Sequence, residues 1–473
     1  MATTGRDTGT VRPVEPAAPA APVAAAAGPA GPAGLSARLR FGYASGSLVT
    51  GTFTTLPGLM LLPYLTDTLG VSAALAGAIV FVPKAWDAFL NPLVGRASDR
   101  TRTRWGPRRP YVLCGGLAMA LAFALTFAGL LPGTAGAWLT AAGYLLTATA
   151  FAFFLVPYVA MPAELTDRHQ DRVRLVGGRV AVIGVAALVT GAAGPALVDA
   201  GGGGLAGHRW VGVFGGVVIA LGALWVFAGT SGGGRGARVG ARVGAPVPES
   251  GPSLRRQFAA ARRNPPFMAL LRCVVVQSVA TGVLLAGAPY FAEHVLRDSS
   301  GVGAPVAAFV APNLLTMPLW SRLRAGRHGY TVASTLFAAG CLLLLAAPAL
   351  PEGAVLLTMA LAGTGHAGQL LFLYAMLPER IAQDAARTER GQAGLLSGLF
   401  STGEGLGVAL GPFFYGVVLQ LCGYVSSGTG RAAEQTPAAG LGILAGFALI
   451  PAVATALAVL LLRGYDRPDG RPY

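Results

Sequence analysis

The sequence predicts an all-α integral membrane protein with twelve transmembrane helices in two pseudo-symmetric six-helix bundles, and three observations carry that reading. Of 473 residues, 53% are hydrophobic and only 12% charged, with a mean hydropathy of +0.59, a balance that makes lipid the main solvent. Apolar runs near the roughly 20 residues needed to cross a bilayer recur along the whole chain. One long polar interruption, 231–264, rich in Gly, Arg and Pro, divides these runs into two equal sets.

The first set runs Leu39 to Leu65, Val71 to Ser98, Pro110 to Leu131, Ala137 to Met161, Val176 to Val198 and Val211 to Ala228. The second runs Met268 to Phe291, Val302 to Leu319, Val332 to Leu350, Ala354 to Leu377, Gly394 to Leu421 and Ala438 to Leu462. The resulting organisation is a tail (1–36), a six-helix bundle (37–230), a linker (231–264), a second bundle (265–463) and a short tail (464–473). Prolines recur through the first tail and leave no uninterrupted apolar stretch before a cleavage site, so it reads as disordered rather than as a signal peptide.

A formal charge of +15 raises the question of nucleic acid, but the arginines come in bursts between apolar runs and form no continuous footprint. Arginine runs follow the second, fourth, sixth, eighth and tenth spans, whereas the opposite loops hold only Arg209, Arg297 and Arg431. This asymmetry places both termini in the cytoplasm of a cell whose cytoplasmic membrane holds the protein. Cys114, Cys273, Cys341 and Cys422 each fall inside an apolar run without metal-ligand spacing and read as packing residues.

Two six-helix halves, basic hairpins at equivalent places in both, and an inner linker are the layout of alternating-access carriers. A small-molecule solute and the bilayer are then the expected partners, the carrier acting as a monomer. A membrane enzyme would need a concentrated polar site, and the five histidines are scattered. A receptor or scaffold is the remaining non-transport alternative, although it has no need of charges buried in a span.

Such charges exist. Lys84 is the single lysine among 35 Lys and Arg residues, and it lies within the second span with Asp87 at i+3 and Asn91 four further on. The three line one helix face between Pro83 and Pro92. Counted from Ser72, Asp87 lies roughly 22 Å into a core of about 30 Å, too deep to reach water by its own length. Either Asp87 is a coupling carboxylate that exchanges a proton or cation while Lys84 competes for its charge, or the pair is a structural ion pair.

Glu404 is the second buried acid, set among glycines of the eleventh span, where it could join a relay, bind substrate or stay protonated between helices. His366 and Gln369 form a polar patch on the tenth span that fits either substrate contact or packing. Arg272 and Gln277 of the seventh span read as structural, Arg272 reaching the headgroups.

The run Lys84-Ala-Trp-Asp-Ala-Phe-Leu-Asn-Pro-Leu-Val-Gly, continued by Ser98-Asp-Arg-Thr-Arg-Thr-Arg-Trp-Gly-Pro-Arg-Arg-Pro, resembles the glycoside-pentoside-hexuronide:cation symporters of the major facilitator superfamily, the family of melibiose permease. Supporting matches are Pro157-Tyr-Val-Ala-Met-Pro-Ala-Glu-Leu-Thr, Asn264-Pro-Pro-Phe and the Gly-rich eleventh span ending Leu421-Cys-Gly-Tyr. The resemblance implies the major facilitator fold and transport of a sugar-like solute with a cation and no cofactor. In that family two carboxylates four apart on the second helix build the cation site; Asp87 matches the first, and Asn91 replaces the second.

One carboxylate beside a lysine has too little negative charge for sodium, so the implied coupling ion is a proton at Asp87, with Lys84 balancing charge and Trp86 adjoining as a substrate candidate. The family's acidic sugar ligands on the first and fourth helices are absent from Gly46-Ser-Leu-Val and Leu155-Val-Pro-Tyr, so no galactoside is implied. The Lys-Ala-Trp-Asp-Ala-Phe run also resembles animal lysolipid carriers, which keeps an apolar solute, an uncoupled facilitator or a drug-type exporter as alternatives. Asp99, Arg100, Arg102, Arg104, Arg108 and Arg109 resemble the superfamily's cytoplasmic gate, a reading that coexists with plain topology charge.

Overall fold

Lipid cannot satisfy backbone N–H and C=O groups, so each apolar run closes its own hydrogen bonds as a helix. The computed structural model describes residues 35–166, 168–231, 262, 264–296, 303–323, 326–388, 393–428 and 433–465. The 1–36 tail, the 231–264 linker and the 464–473 tail therefore lie almost wholly outside the described residues.

The first half comprises α1 (Ala37–Thr68), α2 (Ala73–Arg100), α3 (Arg109–Thr126), α4 (Gly133–Ala160), α5 (His169–Ala200) and α6 (Gly204–Gly229). The second comprises α7 (Pro265–His294), α8 (Ala304–Trp320), α9 (Arg327–Ala349), α10 (Glu352–Thr388), α11 (Ala393–Leu421) and α12 (Pro437–Gly464). Eleven of these are long and apolar enough to span a membrane among the described residues, and α8 is the shorter twelfth.

The break in α8 has a local cause. The helix stops at Leu315 and restarts at Met317, where Pro318 has no N–H to continue the ladder, and Thr316 Oγ1 donates to Pro312 O at 2.8 Å or less, namely 2.7 Å. Hydropathy also misplaced several ends: α6 begins at Gly204 rather than Val211, and in two cases a polar segment extends the helix, α5 beginning seven residues before Val176, at His169, and α10 running past Leu377 to Thr388. Both extensions are polar helix formers outside the apolar core, so a hydropathy window does not register them.

Within the first half α3 packs on α4 and α6, and α2 on α4; in the second, α7 packs on α11 and α12, and α9 on α10. The halves meet where α2 packs on α11, α1 on α7, and α5 on α8. These contacts cluster at the arginine-poor end. Tyr424 donates to Asp67 Oδ1 at 2.7 Å, the hydroxyls of Thr66 and Tyr290 lie 2.7 Å apart, and Ser427 donates to Asp67 O at 2.8 Å. Below this seal the last cross-bundle ring contact is Phe81 with Phe413, 6.0 Å between centroids.

Close helix approach sets the seams. A side-chain carbon added at Gly411 of α11 would sit 2.4 Å from the Gly282 carbonyl carbon of α7, and one added at Gly77 of α2 would sit 2.9 Å from Phe413 Cα of α11. In lipid, where burial of apolar surface does not drive helices together, such backbone proximity supplies much of the attraction. Gly411→Val should therefore separate α7 from α11 at a cost of about 1–3 kcal/mol, read as a lowered thermal-unfolding midpoint in detergent. Gly440→Val, where an added carbon meets nothing within 4 Å, should leave the midpoint unchanged.

Candidate functional site

Lys84 extends from α2 into the interior of the first half, where its Nζ lies 3.6 Å from the centroid of Phe53 of α1 and 5.7 Å from that of Phe151 of α4. The two rings are themselves 4.2 Å apart, and Tyr144 of α4 stands 6.0 Å from Phe53. A desolvated ammonium over a ring face gains about 2 kcal/mol or more. The Lys84–Asp87 ion pair is not among those formed by the described residues.

Asp87 is consequently left with Oδ1 buried and without a hydrogen-bond partner, and so is Asn91 Oδ1 one turn further along. Trp86, on the neighbouring face, is 45% exposed and donates Nε1–H to Thr149 Oγ1 of α4 at 3.2 Å. α2 thus presents a cation held by rings and a carboxylate with an unused acceptor one helical turn apart.

On the other half, Glu404 Oε1 of α11 accepts from Tyr374 of α10 at 2.6 Å. Asp87 lies six residues from Phe81 and Glu404 nine residues from Phe413, so both sit roughly 9–14 Å from that ring contact, on the arginine-rich side. Arg179 of α5 packs 5.5 Å from the Tyr158 ring and has Nε buried without a partner.

His366 and Gln369 occupy a different place. Gln277 Nε2 donates to Gln369 Oε1 at 2.8 Å, and Tyr330 donates to Gln277 Oε1 at 3.1 Å. Gln369 also donates to Ser334 at 3.2 Å, inside the core of the second half. His366 is 5% exposed and lies between Phe309 and Phe337, at 5.4 and 6.0 Å. Neither shares the surroundings of Lys84 and Asp87; they tie α7, α9 and α10 together.

At the arginine-rich end, Arg108 Nη2 is 3.3 Å from Asp99 Oδ1, and its Nε is 2.8 Å from Glu164 Oε1 at the foot of α4. Burial pushes the Glu164 carboxyl above the ordinary range, opposed by Arg108 and reinforced by Asp99. Arg104 instead stacks on its neighbour Trp105 at 5.0 Å, and Arg100 is exposed at the end of α2. Among the described residues the Arg108 ion pairs close within the first half.

Sequence reading had no means of finding Phe53, Phe151 or Tyr374, because a ring in an apolar run carries no mark of its partner. Arg179 did carry a signal, a charge inside the fifth span, and Asp67 lay just beyond the span end drawn at Leu65.

Two opposed helix bundles, joined at one end and carrying half-buried charged groups at mid-depth that form no ion pair among the described residues, have the layout of a secondary transporter of the major facilitator type. Residues 42–468 match the model of the MFS/sugar transport protein family, and the chain belongs to that family. Among curated relatives, the glucuronide carrier protein homolog of Escherichia coli K12 is 25% identical over 92% of this chain and 93% of its own length. The symporter YnaJ of Bacillus subtilis is 27% identical over 90% of this chain and 91% of its own. The isoprimeverose transporter of Lactiplantibacillus pentosus is 24% identical over 82% and 81%. These relatives agree with the family that the α2 motif resembles.

Two solved structures share the fold. A D-xylose-proton symporter superposes with a TM-score of 0.63 at 13% identity, over 90% of this chain and 96% of its own. A bacterial homolog of the lysosomal transporter Spinster gives 0.64 at 16% identity, over 90% and 94%. The protein is a multi-pass membrane transporter and not an enzyme.

If Gln277 and Gln369 are a clamp, Gln277→Leu should cost about 1–3 kcal/mol for each buried partner left unsatisfied, seen as a lowered unfolding midpoint. Substrate affinity of the surviving folded fraction, measured by calorimetry, should stay within twofold of the parent. A large loss of affinity with an unchanged midpoint would instead move these residues into the binding site.

Proposed function

We propose that the protein imports a sugar or glycoside together with a proton, using Asp87 as the coupling carboxylate in the cytoplasmic membrane, with both termini inside. The observation that carries this reading is Lys84 resting on Phe53 while Asp87 Oδ1 is buried and unpartnered. A buried carboxylate without a partner costs several kcal/mol when charged, so it needs a proton, a cation or the nearby ammonium.

This requirement supplies a coupling cycle. With a proton on Asp87, Lys84 is free to sit on Phe53, the arrangement described above. When the proton leaves toward the open end, Lys84 swings to the bare carboxylate, and the neutral pair allows the empty carrier to return. Substrate and proton must then travel together, because a deprotonated loaded carrier would hold the ammonium away from the rings that shape the site. Asn91 in place of a second carboxylate keeps the site short of charge for sodium. The arginine-rich end is the cytoplasmic one on the positive-inside rule, which makes this conformation inward-open. The monomer contains every group the cycle uses.

Arg179 supports an acidic sugar as the solute. Its guanidinium is absent from the ion pairs of the described residues and keeps a buried Nε without a partner, so a carboxylate or sulfonate could take its fork. Relatives named as a glucuronide carrier homolog and a putative sulfoquinovose importer point the same way.

Two outcomes test the proposal. In liposomes holding a pH-sensitive dye, hexuronides or glucuronides should drive proton entry in the parent protein, and Asp87→Asn should abolish that entry. Solute uptake that persists unchanged in Asp87→Asn without proton movement would make the protein a facilitator or assign another ion. Arg179→Gln should weaken an acidic glycoside by at least about tenfold, as for loss of a charged hydrogen bond of about 1.5–3 kcal/mol, and leave its neutral analogue unaffected. Equal losses for both would remove the acidic group from Arg179.

A further inference from the structure

At the arginine-rich end of the second half, the foot of α7 and the last turn of α12 border an open cavity of about 580 Å³. Arg262, Arg272 and Arg463 line it, above a floor of Met268, Ala269 and Leu460. All three arginines are exposed, and none forms an ion pair among the described residues. A second cavity of about 530 Å³ shares Arg262, Arg272, Met268 and Leu461 and continues along α7 past Leu271 to Val275 and Val276. It extends the charged mouth by an apolar groove roughly 12 Å long, eight residues of helix rise.

We propose that this double cavity binds one anionic phospholipid, with its phosphate among the three guanidinium groups and an acyl chain in the groove along α7. Guanidinium forks match phosphate oxygens in pairs, and these three form no ion pair with a carboxylate among the described residues. Arginines at helix ends on the basic face of a membrane protein meet the headgroup layer, where each basic residue adds to the attraction for anionic lipid. The groove decides between the sources of phosphate. A soluble anion has no use for a wall of Leu271, Val275 and Val276, whereas an acyl chain fills it.

The site belongs wholly to one half, since α7 and α12 pack together in the second bundle. A bound lipid would therefore travel with that bundle as the carrier rocks, and its binding does not depend on what solute is moved. Failure of the transport reading and failure of this one are separately visible.

Native mass spectrometry of the full-length protein in detergent tests it, with phosphatidylglycerol and phosphatidylcholine of matched chains titrated in turn. The expected result is retention of one phosphatidylglycerol in preference to phosphatidylcholine, undiminished by inorganic phosphate. Arg262→Gln/Arg272→Gln/Arg463→Gln should lose that lipid, by about fivefold for each arginine neutralised. An equal loss of charge at Arg40, Arg102 and Arg322 should leave it bound. Arg463→Gln alone, at the edge of the fold, should show the single-step loss even where the triple variant does not fold. Equal retention of the two lipids, or equal phosphatidylglycerol binding by Arg463→Gln and parent, would overturn the proposal; displacement by phosphate would make the site one for a soluble anion and overturn it as well.

Discussion

Close contact of helix backbones on one side of the molecule is the constraint on which the rest of this structure depends. Gly282 and Gly411 bring α7 against α11, and Gly77 brings α2 against the Phe413 backbone of the opposite half. In a lipid solvent these contacts draw their energy from dispersion and short carbonyl approaches rather than from exclusion of water. Of these, the Gly77 contact joins the two halves, on the arginine-poor side, together with the Asp67–Tyr424 and Thr66–Tyr290 hydrogen bonds. The two halves are thereby held as a wedge, shut at one end and parted at the other, and everything charged at mid-depth faces the parted side of that seal.

The charged groups at mid-depth share an unusual arrangement. Lys84 is held by rings, Glu404 by a tyrosine hydroxyl, and Arg179 by a ring and an unused Nε, while Asp87 Oδ1 is held by nothing. A structural role would be served better by closing Lys84 on Asp87 in a neutral pair. Outside the membrane the opposite holds, since Arg108 spans Asp99 and Glu164 in the ordinary manner of an ion-pair network. Among the described residues, Arg108 closes ion pairs at the helix ends, whereas Lys84, Asp87 and Glu404 at mid-depth close none.

Much of this was legible beforehand. Twelve apolar runs, the interruption at 231–264 and the arginine asymmetry led to two six-helix bundles, and a single lysine three residues before an acid marked α2. These signals are local: hydropathy, charge and i, i+3 spacing are properties of one segment. The start of α5 and the end of α10 lay in polar helical extensions that a hydropathy window leaves out, and the break inside α8, whose ends were drawn closely, came from a proline-induced stop that mean hydropathy does not register.

By itself the sequence determined that this chain crosses a membrane as helices, that its halves are equivalent, and that α2 carries a buried cation and acid, because lipid tolerates few alternatives for backbone or charge. The tertiary structure alone decided what those charges meet. Whether Lys84 faced Asp87 or Phe53, whether Gln369 lined the gap or clamped α7 to α10, and whether Arg463 shared one cavity with the distant Arg262 and Arg272 depended on which helix faces turned toward each other. That choice is made by the glycine seams and ring packing between segments distant in sequence, and no single segment contains it.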